Sequence, residues 1–357
     1  MKKLLSLFSL LAVLSLHADV VKIGVILPLT GNNANLGEWQ RDAVKLVQKE
    51  LETQKTKHTY QFVLEDDQLI GRMTAEACNK LINVDKVAAL YTISSTSGNV
   101  ANPRAQQAKV IHIGMASDSK VANGDYNFIH WTPPHEEAGT LAAFIKAKGF
   151  KRVAILRIRQ QGVMAIVNEL EKMLTDAGIE VVDDTQFNPG ERDFRAILAR
   201  INESKPDMFI PLAFSPEIEI ILRQRKQVGL NCAVSSIECF DFLTGKDKLE
   251  AEGAYYSSSG LPTGEFIERL KLIGMTEARY GAPFTYDSMH LMIDALEQCP
   301  SPNTDRTPAL KYLNAVKDRP SAVGTITIDK DGIVHSPAGL YQINGEKSVP
   351  VDLKHMK

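Results

Sequence analysis

Val21-Lys22-Ile23-Gly24-Val25-Ile26-Leu27 opens a strand–loop–helix unit. The run is short and rich in Val and Ile, as a buried parallel strand requires. Gly31-Asn32-Asn33-Ala34-Asn35-Leu36-Gly37 follows it, and Glu38–Leu51 has helical spacing. The unit then recurs. Tyr60–Leu64 reads as a strand, Met73–Ile82 as a helix and Val87–Tyr91 as a strand; another helical stretch leads to the strand Lys109–Ile113. Strands alternating with helices of this length specify βαβ units, because parallel neighbours need a long crossover connection.

A second series begins after Trp131-Thr132-Pro133-Pro134. His135–Lys148 is a helix closed by Gly149, and Arg152–Ile158 is a strand. Val163, Ile166, Val167, Leu170 and Leu174 share one helical face. Glu180–Thr185 is a strand, and Phe194, Ile197, Leu198 and Ile201 repeat the helical spacing. Met208–Leu212 (strand), Ile218–Val228 (helix) and Cys232–Ser235 (strand) complete the series. A third region is different: Glu265–Tyr280, Thr285–Gln298 and Pro308–Lys317 read as helices, Val323–Ile328 as a strand, and Gly339–Val351 as a hairpin turning at Asn344-Gly345.

The predicted fold class is α/β: two Rossmann-like lobes with parallel sheets, joined by three crossing segments. Breaks at Trp131–Pro134, Gly260–Gly264 and Asp329–Val334 are the candidate crossings. They place residues 19–132 plus 263–331 in lobe 1 and residues 133–262 plus 332–357 in lobe 2. A three-strand crossing makes a hinge, since a few loop residues absorb a domain rotation.

The chain has 357 residues, 44% hydrophobic and 24% charged, which excludes disordered, collagen-like and coiled-coil classes. Lys+Arg 41 against Asp+Glu 43 gives −2, and without a basic run a nucleic-acid partner is not expected. Met1–Ala18 has the pattern of a secretory signal peptide: Lys2 and Lys3 precede the apolar Leu4–Leu16. That apolar stretch is shorter than the roughly 20 residues of a spanning helix. The expected destination is the periplasm. Four cysteines are too few for a disulfide scaffold. In an oxidising compartment Cys232 and Cys239 could pair, and buried free thiols are the equal alternative.

Enzyme signatures are missing: no Gly-x-Ser-x-Gly, phosphate-binding Gly-Lys-Ser/Thr, His-Glu-x-x-His or Cys-x-x-Cys occurs. Neither an enzyme nor a cofactor is expected. Ligands of open α/β sheets bind at the carboxyl edge. Three loops there are small and polar: Gly31–Gly37, Ser94-Ser95-Thr96-Ser97 and Ala116-Ser117-Asp118. Hydroxyls at helix starts offer side-chain and backbone donors together, which suits a carboxylate; simple helix capping is the alternative. Either Ser117 or Asp118 could face the cleft. Asp66-Asp67 reads as a pair of solvated loop acids, Asp329-Lys330-Asp331-Gly332 as a turn and His112 as a packed strand residue. The eight histidines are dispersed, and no metal set is assigned.

Val25-Ile26-Leu27-Pro28-Leu29-Thr30-Gly31, with Ala34 and Gly37 behind it, resembles the opening motif of branched-chain amino-acid (Leu/Ile/Val)-type solute-binding proteins of ABC importers. Phe214-Ser215-Pro216, Val228-Gly229-Leu230 and Tyr286-Asp287 extend the resemblance along the mature chain. It implies the type I periplasmic-binding fold and clamshell closure on a small ligand. It also implies delivery to a membrane permease, with a membrane receptor or sensor kinase as the alternative partner. Carried over, Ser94, Ser95, Ala116 and Ser117 would hold a ligand carboxylate, and Glu238 an ammonium group. Phe214 would be the second-lobe aromatic, and Leu36 would face the ligand side chain. Gln161-Gly162 stands where the family has Tyr-Gly. Expected ligands are amino acids or related small carboxylates.

Overall fold

The computed structural model describes residues 20–353. The signal segment Met1–Ala18 lies outside the described residues. In chain order the first sheet comprises β1 (Val20–Leu27), β2 (Thr59–Asp66), β3 (Ala89–Ile93), β4 (Ile111–Met115) and β5 (Asn127–Ile129). They interleave with α1 (Ala34–Leu51), α2 (Gly71–Lys80) and α3 (Ser95–Ala108). The second sheet takes β6 (Arg152–Ile158), β7 (Glu180–Phe187), β8 (Met208–Leu212), β9 (Ala233–Ile237) and β10 (Tyr255–Ser259). Its helices are α4 (Pro134–Ala147), α5 (Gln161–Asp176), α6 (Arg195–Glu203) and α7 (Glu217–Gln227).

The chain then runs through α8 (Gly264–Leu270), α9 (Ala282–Leu296) and α10 (Thr307–Leu313), and a small sheet of β11 (Arg319–Ser321), β12 (Gly324–Ile328) and β13 (Val334–His335). It ends in the hairpin β14 (Ala338–Asn344) and β15 (Lys347–Val351). Strand order is β2-β1-β3-β4-β5 in one sheet and β15-β14-β10-β9-β8-β6-β7 in the other. All strands of the first sheet are parallel, as are β6 to β10; β14 and β15 add antiparallel at the β10 edge.

Each sheet has its own core. Strands β3 and β4 are buried at every position. The inner face of α1 (Ala43, Val44, Leu46, Val47) joins them with Phe284, Met289 and Leu296 of α9. Ala138, Leu141, Ile155, Val167, Leu198 and Ile221 belong to the second core. Segment 264–335 therefore packs with the first lobe, although it follows the second in sequence.

Several expectations need correcting. The helix expected over Glu265–Tyr280 ends at Leu270; a 3-10 turn follows, and Gly274 at φ 75° closes it. Strands β5, β10, β11 and β13 were not anticipated. The hairpin loop is Gly345-Glu346, since Asn344 still pairs with Lys347. Asp329 does not start a crossing: it caps a turn between β12 and β13, accepting from Asp331 N and Ile333 N at 2.9 Å each. Val334 is buried in the first core, so the chain passes to β14 at Ser336-Pro337. All four cysteines are unpaired. His112 is fully buried between Thr92 and Asn127, at 2.8 and 2.9 Å, and burial pushes its pKa down to about 4.

Candidate functional site

Each sheet changes winding direction beside the strand that comes first in sequence, between β1 and β3 and between β6 and β8. Such switch points open crevices at the carboxyl ends. The two crevices face each other around a cavity of about 520 Å³. Leu36, Ser94, Ser95, Ala116 and Ser117 line it from the first lobe, and Gln161, Phe214 and Glu238 from the second. All eight residues singled out from the sequence thus reach one cavity.

The opening loop lies flat because Gly37 has no side chain: a Cβ there would stand 2.1 Å from the Pro28 carbonyl oxygen. Asp66, partly exposed, and Asp67, buried, both anchor the polar loops, so only Asp66 keeps the solvent contact expected of a loop acid. Asp66 Oδ1 accepts from Leu29 N at 2.8 Å. Asp67, 1% exposed, accepts from the hydroxyls of Ser97 at 2.6 Å and Thr74 at 2.8 Å.

Ser94 is held at φ 75°, ψ 150°, a region nearly reserved for glycine. Its Oγ caps α3 by accepting from Ser97 N at 3.2 Å. Ser95 Oγ accepts from Asp118 N at 3.1 Å, tying the two hydroxyl loops together. Ser117 lines the cavity, whereas the Asp118 carboxylate accepts from Asn99 and from Lys120 N.

Glu238 is the charged counterpart across the cavity. It follows β9 with φ 57°, a second strained non-glycine, and is 5% exposed. Its Oε1 accepts from Trp131 Nε1 at 2.6 Å and its Oε2 from the Tyr280 hydroxyl at 3.2 Å. Both donors are neutral. Fully buried Glu137 sits directly behind it. Burial, then the neighbouring Glu238 charge, raise the Glu137 carboxyl well above the usual range. Burial also raises Glu238, against the opposing hydrogen bonds from Trp131 and Tyr280. Two acids are therefore buried on this side of the cavity, the Glu137 carboxyl oxygens without a hydrogen-bond partner among the described residues, and the side chains that hydrogen-bond Glu238 carry no positive charge.

Aromatic rings complete the wall. Phe214 meets Phe242 edge-on at 5.0 Å, Phe242 meets Tyr280 at 4.6 Å, and Tyr280 meets Trp131 at 5.3 Å. Sequence reading missed Trp131, Phe242 and Tyr280, which come from a crossing, a short turn and the loop before α9. The lobes touch at the mouth: Asn99 Nδ2 donates to Gln161 Oε1 at 2.8 Å, and a Cβ on Gly162 would lie 3.2 Å from Ser95 Oγ.

Two doubly wound lobes closing on a shared cavity define a bilobal solute-binding protein. The chain belongs to the periplasmic binding protein family, which matches residues 20–348. That family consists of solute-binding proteins, not enzymes. Among curated relatives, the leucine-, isoleucine-, valine-, threonine- and alanine-binding protein of Pseudomonas aeruginosa is 26% identical over 223 residues, covering 61% of this chain and 60% of that protein. The Leu/Ile/Val-binding protein BraC3 of Rhizobium johnstonii is 25% identical, covering 61% of each. The chain thus spans about 60% of the length of the curated relatives it matches. Among solved structures, the leucine-binding protein LivK of Thermotoga maritima has TM-score 0.84 at 22% identity, over 93% of this chain and 98% of that one. A Rhodopseudomonas palustris solute-binding protein in complex with 3,4-dihydroxybenzoic acid has TM-score 0.82 at 22% identity, over 93% and 96%. These likenesses establish the fold. Among the described residues no helix is long and apolar enough to cross a membrane.

Proposed function

We propose that the protein captures an amino acid in the periplasm by closing its lobes, and delivers it unaltered to the permease of an ABC importer. One observation carries the reading: buried Glu238 has only neutral partners, and it stands across a cavity from loops rich in hydroxyl and backbone donors. An α-ammonium at Glu238 supplies the missing cation, and charge-assisted hydrogen bonds are the strongest available in a closed cleft. An α-carboxylate lies toward Ser94, Ser95, Ala116 and Ser117. Leu36 and Phe214 flank the space left for an apolar side chain. The binding proteins named above for leucine, isoleucine and valine support this choice.

The aromatic wall favours a second reading, a benzoate-like acid, of the kind bound by one structural neighbour. Such an acid brings no cation to Glu238. A thermal-shift screen over amino acids, benzoate and 4-hydroxybenzoate, followed by calorimetry, separates the two. An amino acid at a hundredfold excess over its Kd adds about 2.7 kcal/mol of stability. Saturable binding of an aromatic acid with no response to any amino acid would overturn the proposal.

A further inference from the structure

Two of the dispersed histidines meet in space. His135 stands in the first turn of α4, just past the first crossing, and His335 ends β13, just before the third. The two crossings run side by side there: the hydroxyls of Thr132 and Ser336 are 3.1 Å apart and hydrogen-bonded. Glu136 Oε1 lies 3.4 Å from His135 Nε2. One donor atom from each of His135, Glu136 and His335 lies within 4.8 Å of the other two.

We propose that His135, Glu136 and His335 bind a divalent transition-metal ion of the zinc class, and that this ion links the two lobes at the hinge. Two imidazoles and one carboxylate are the donor set of a zinc site with an open fourth position. Imidazole also selects zinc, nickel or copper over calcium and magnesium. Bonds of about 2.1 Å in a tetrahedron place neighbouring donors about 3.4 Å apart, and His135 and Glu136 already have that separation.

His335 is oriented as well. Its Nε2 lies 2.8 Å from Asp329 Oδ2, and Asp329 is fixed in turn by the backbone N–H groups of Asp331 and Ile333. A carboxylate on one ring nitrogen sets the tautomer and leaves the lone pair of the other for a metal. Glu136 places negative charge at the positive end of α4, where a lone cation would be disfavoured. The three side chains are 44–49% exposed, so an ion reaches them from solvent.

His135 and Glu136 ride on a helix of the second core, and His335 on a strand of the first. An ion held by both has a different affinity in each relative orientation of the lobes. Occupancy therefore biases the hinge, and by linkage solute binding alters metal affinity by the same factor.

Calorimetric titration of the untagged protein with zinc chloride tests this. One saturable equivalent is expected, weakened at least tenfold by His135→Ala or His335→Ala and more modestly by Asp329→Asn. Circular dichroism of these exposed-site variants should match that of the parent. Zinc should also change the X-ray scattering profile of the parent but not of His335→Ala. Absence of a saturable site, or a site indifferent to both histidine variants, overturns the metal assignment. Saturable binding with unchanged scattering overturns its action on the hinge.

Discussion

The two lobes share one strand order: β2-β1-β3-β4-β5 matches β7-β6-β8-β9-β10. Their cavity-facing tips are chemically opposite. The first lobe presents small hydroxyls and backbone donors, with Ser94 as its strained residue; the second presents aromatic rings and a buried acid, with Glu238 as its strained residue. Each strained position costs about 1–3 kcal/mol, and such residues concentrate at functional sites. Their buried ionisable groups differ too. The first lobe buries His112 and His130 together with the acids Asp67 and Asp287, and burial holds the two histidines down to about 4 and about 3. The second buries Glu137, Glu238 and Asp241, all raised chiefly by burial. One strand order serves both halves, and the chemistry that differs sits at their strand ends.

The division of labour can be broken at its acid. Glu238→Gln should weaken an amino-acid ligand by about 1.5–3 kcal/mol, the worth of a charged hydrogen bond; unchanged affinity by calorimetry would remove the acid from the site. Closure tests the fit between halves. Gly162→Val puts branched carbon against Ser95 and should cost about 1–3 kcal/mol of ligand affinity. Its melting temperature without ligand should stay near that of the parent. An equal loss in both quantities would mean that Gly162 serves the fold rather than closure.

Acid should affect the lobes in opposite senses. For His112 and His130 the folded pKa lies below the unfolded value near 6.5. Their stabilisation is present above that value and is lost as pH falls toward the folded pKa. Asp287, raised to about 6 by burial, works the other way in the same lobe. From pH 7 to pH 5 the first lobe loses about 2 kcal/mol net. The raised acids of the second lobe gain stability over the same fall. Hydrogen exchange, corrected for intrinsic rates, should show protection falling in β3 and β4 and holding or rising in β8 and β9. Parallel loss in both sheets would refute the contrast. Smallest of all, Ser94→Ala should remove the α3 cap and lower stability by about 1 kcal/mol, read as a shift in denaturant midpoint.

Strands built from branched apolar runs were legible: β6 and β8 match their predicted ranges residue for residue. Strand β10 was not, because Tyr255–Ser259 is mostly hydroxyl-bearing. Neighbours satisfy most of its polar groups in mid-sheet, since Ser235 Oγ donates to the Tyr255 carbonyl at 2.6 Å and Tyr256 and Ser258 donate to Asp241, but the buried Ser257 hydroxyl has no protein partner among the described residues. Glu265–Tyr280 has helical spacing past its true end, and Gly274 is the stop signal that periodicity overrode. The cavity residues on strand-end loops could be located because each loop follows a recognisable strand. Trp131, Phe242 and Tyr280 carry no period, and their convergence depends on how the lobes meet. The meeting of His135 and His335, remote in sequence, likewise follows no spacing rule.

The threefold crossing also governs the order in which the molecule can assemble. Gln40 and Glu50 on α1 find their partners Tyr280, Thr285, Tyr286 and His290 only after the intervening lobe has been made. The β10 edge likewise stays open until the final hairpin arrives. Neither half can finish early, so apolar helix faces of α1 stay uncovered until α9 packs on them and the β10 edge stays unpaired until β14 arrives. Such long-range closure slows folding and leaves a window for aggregation.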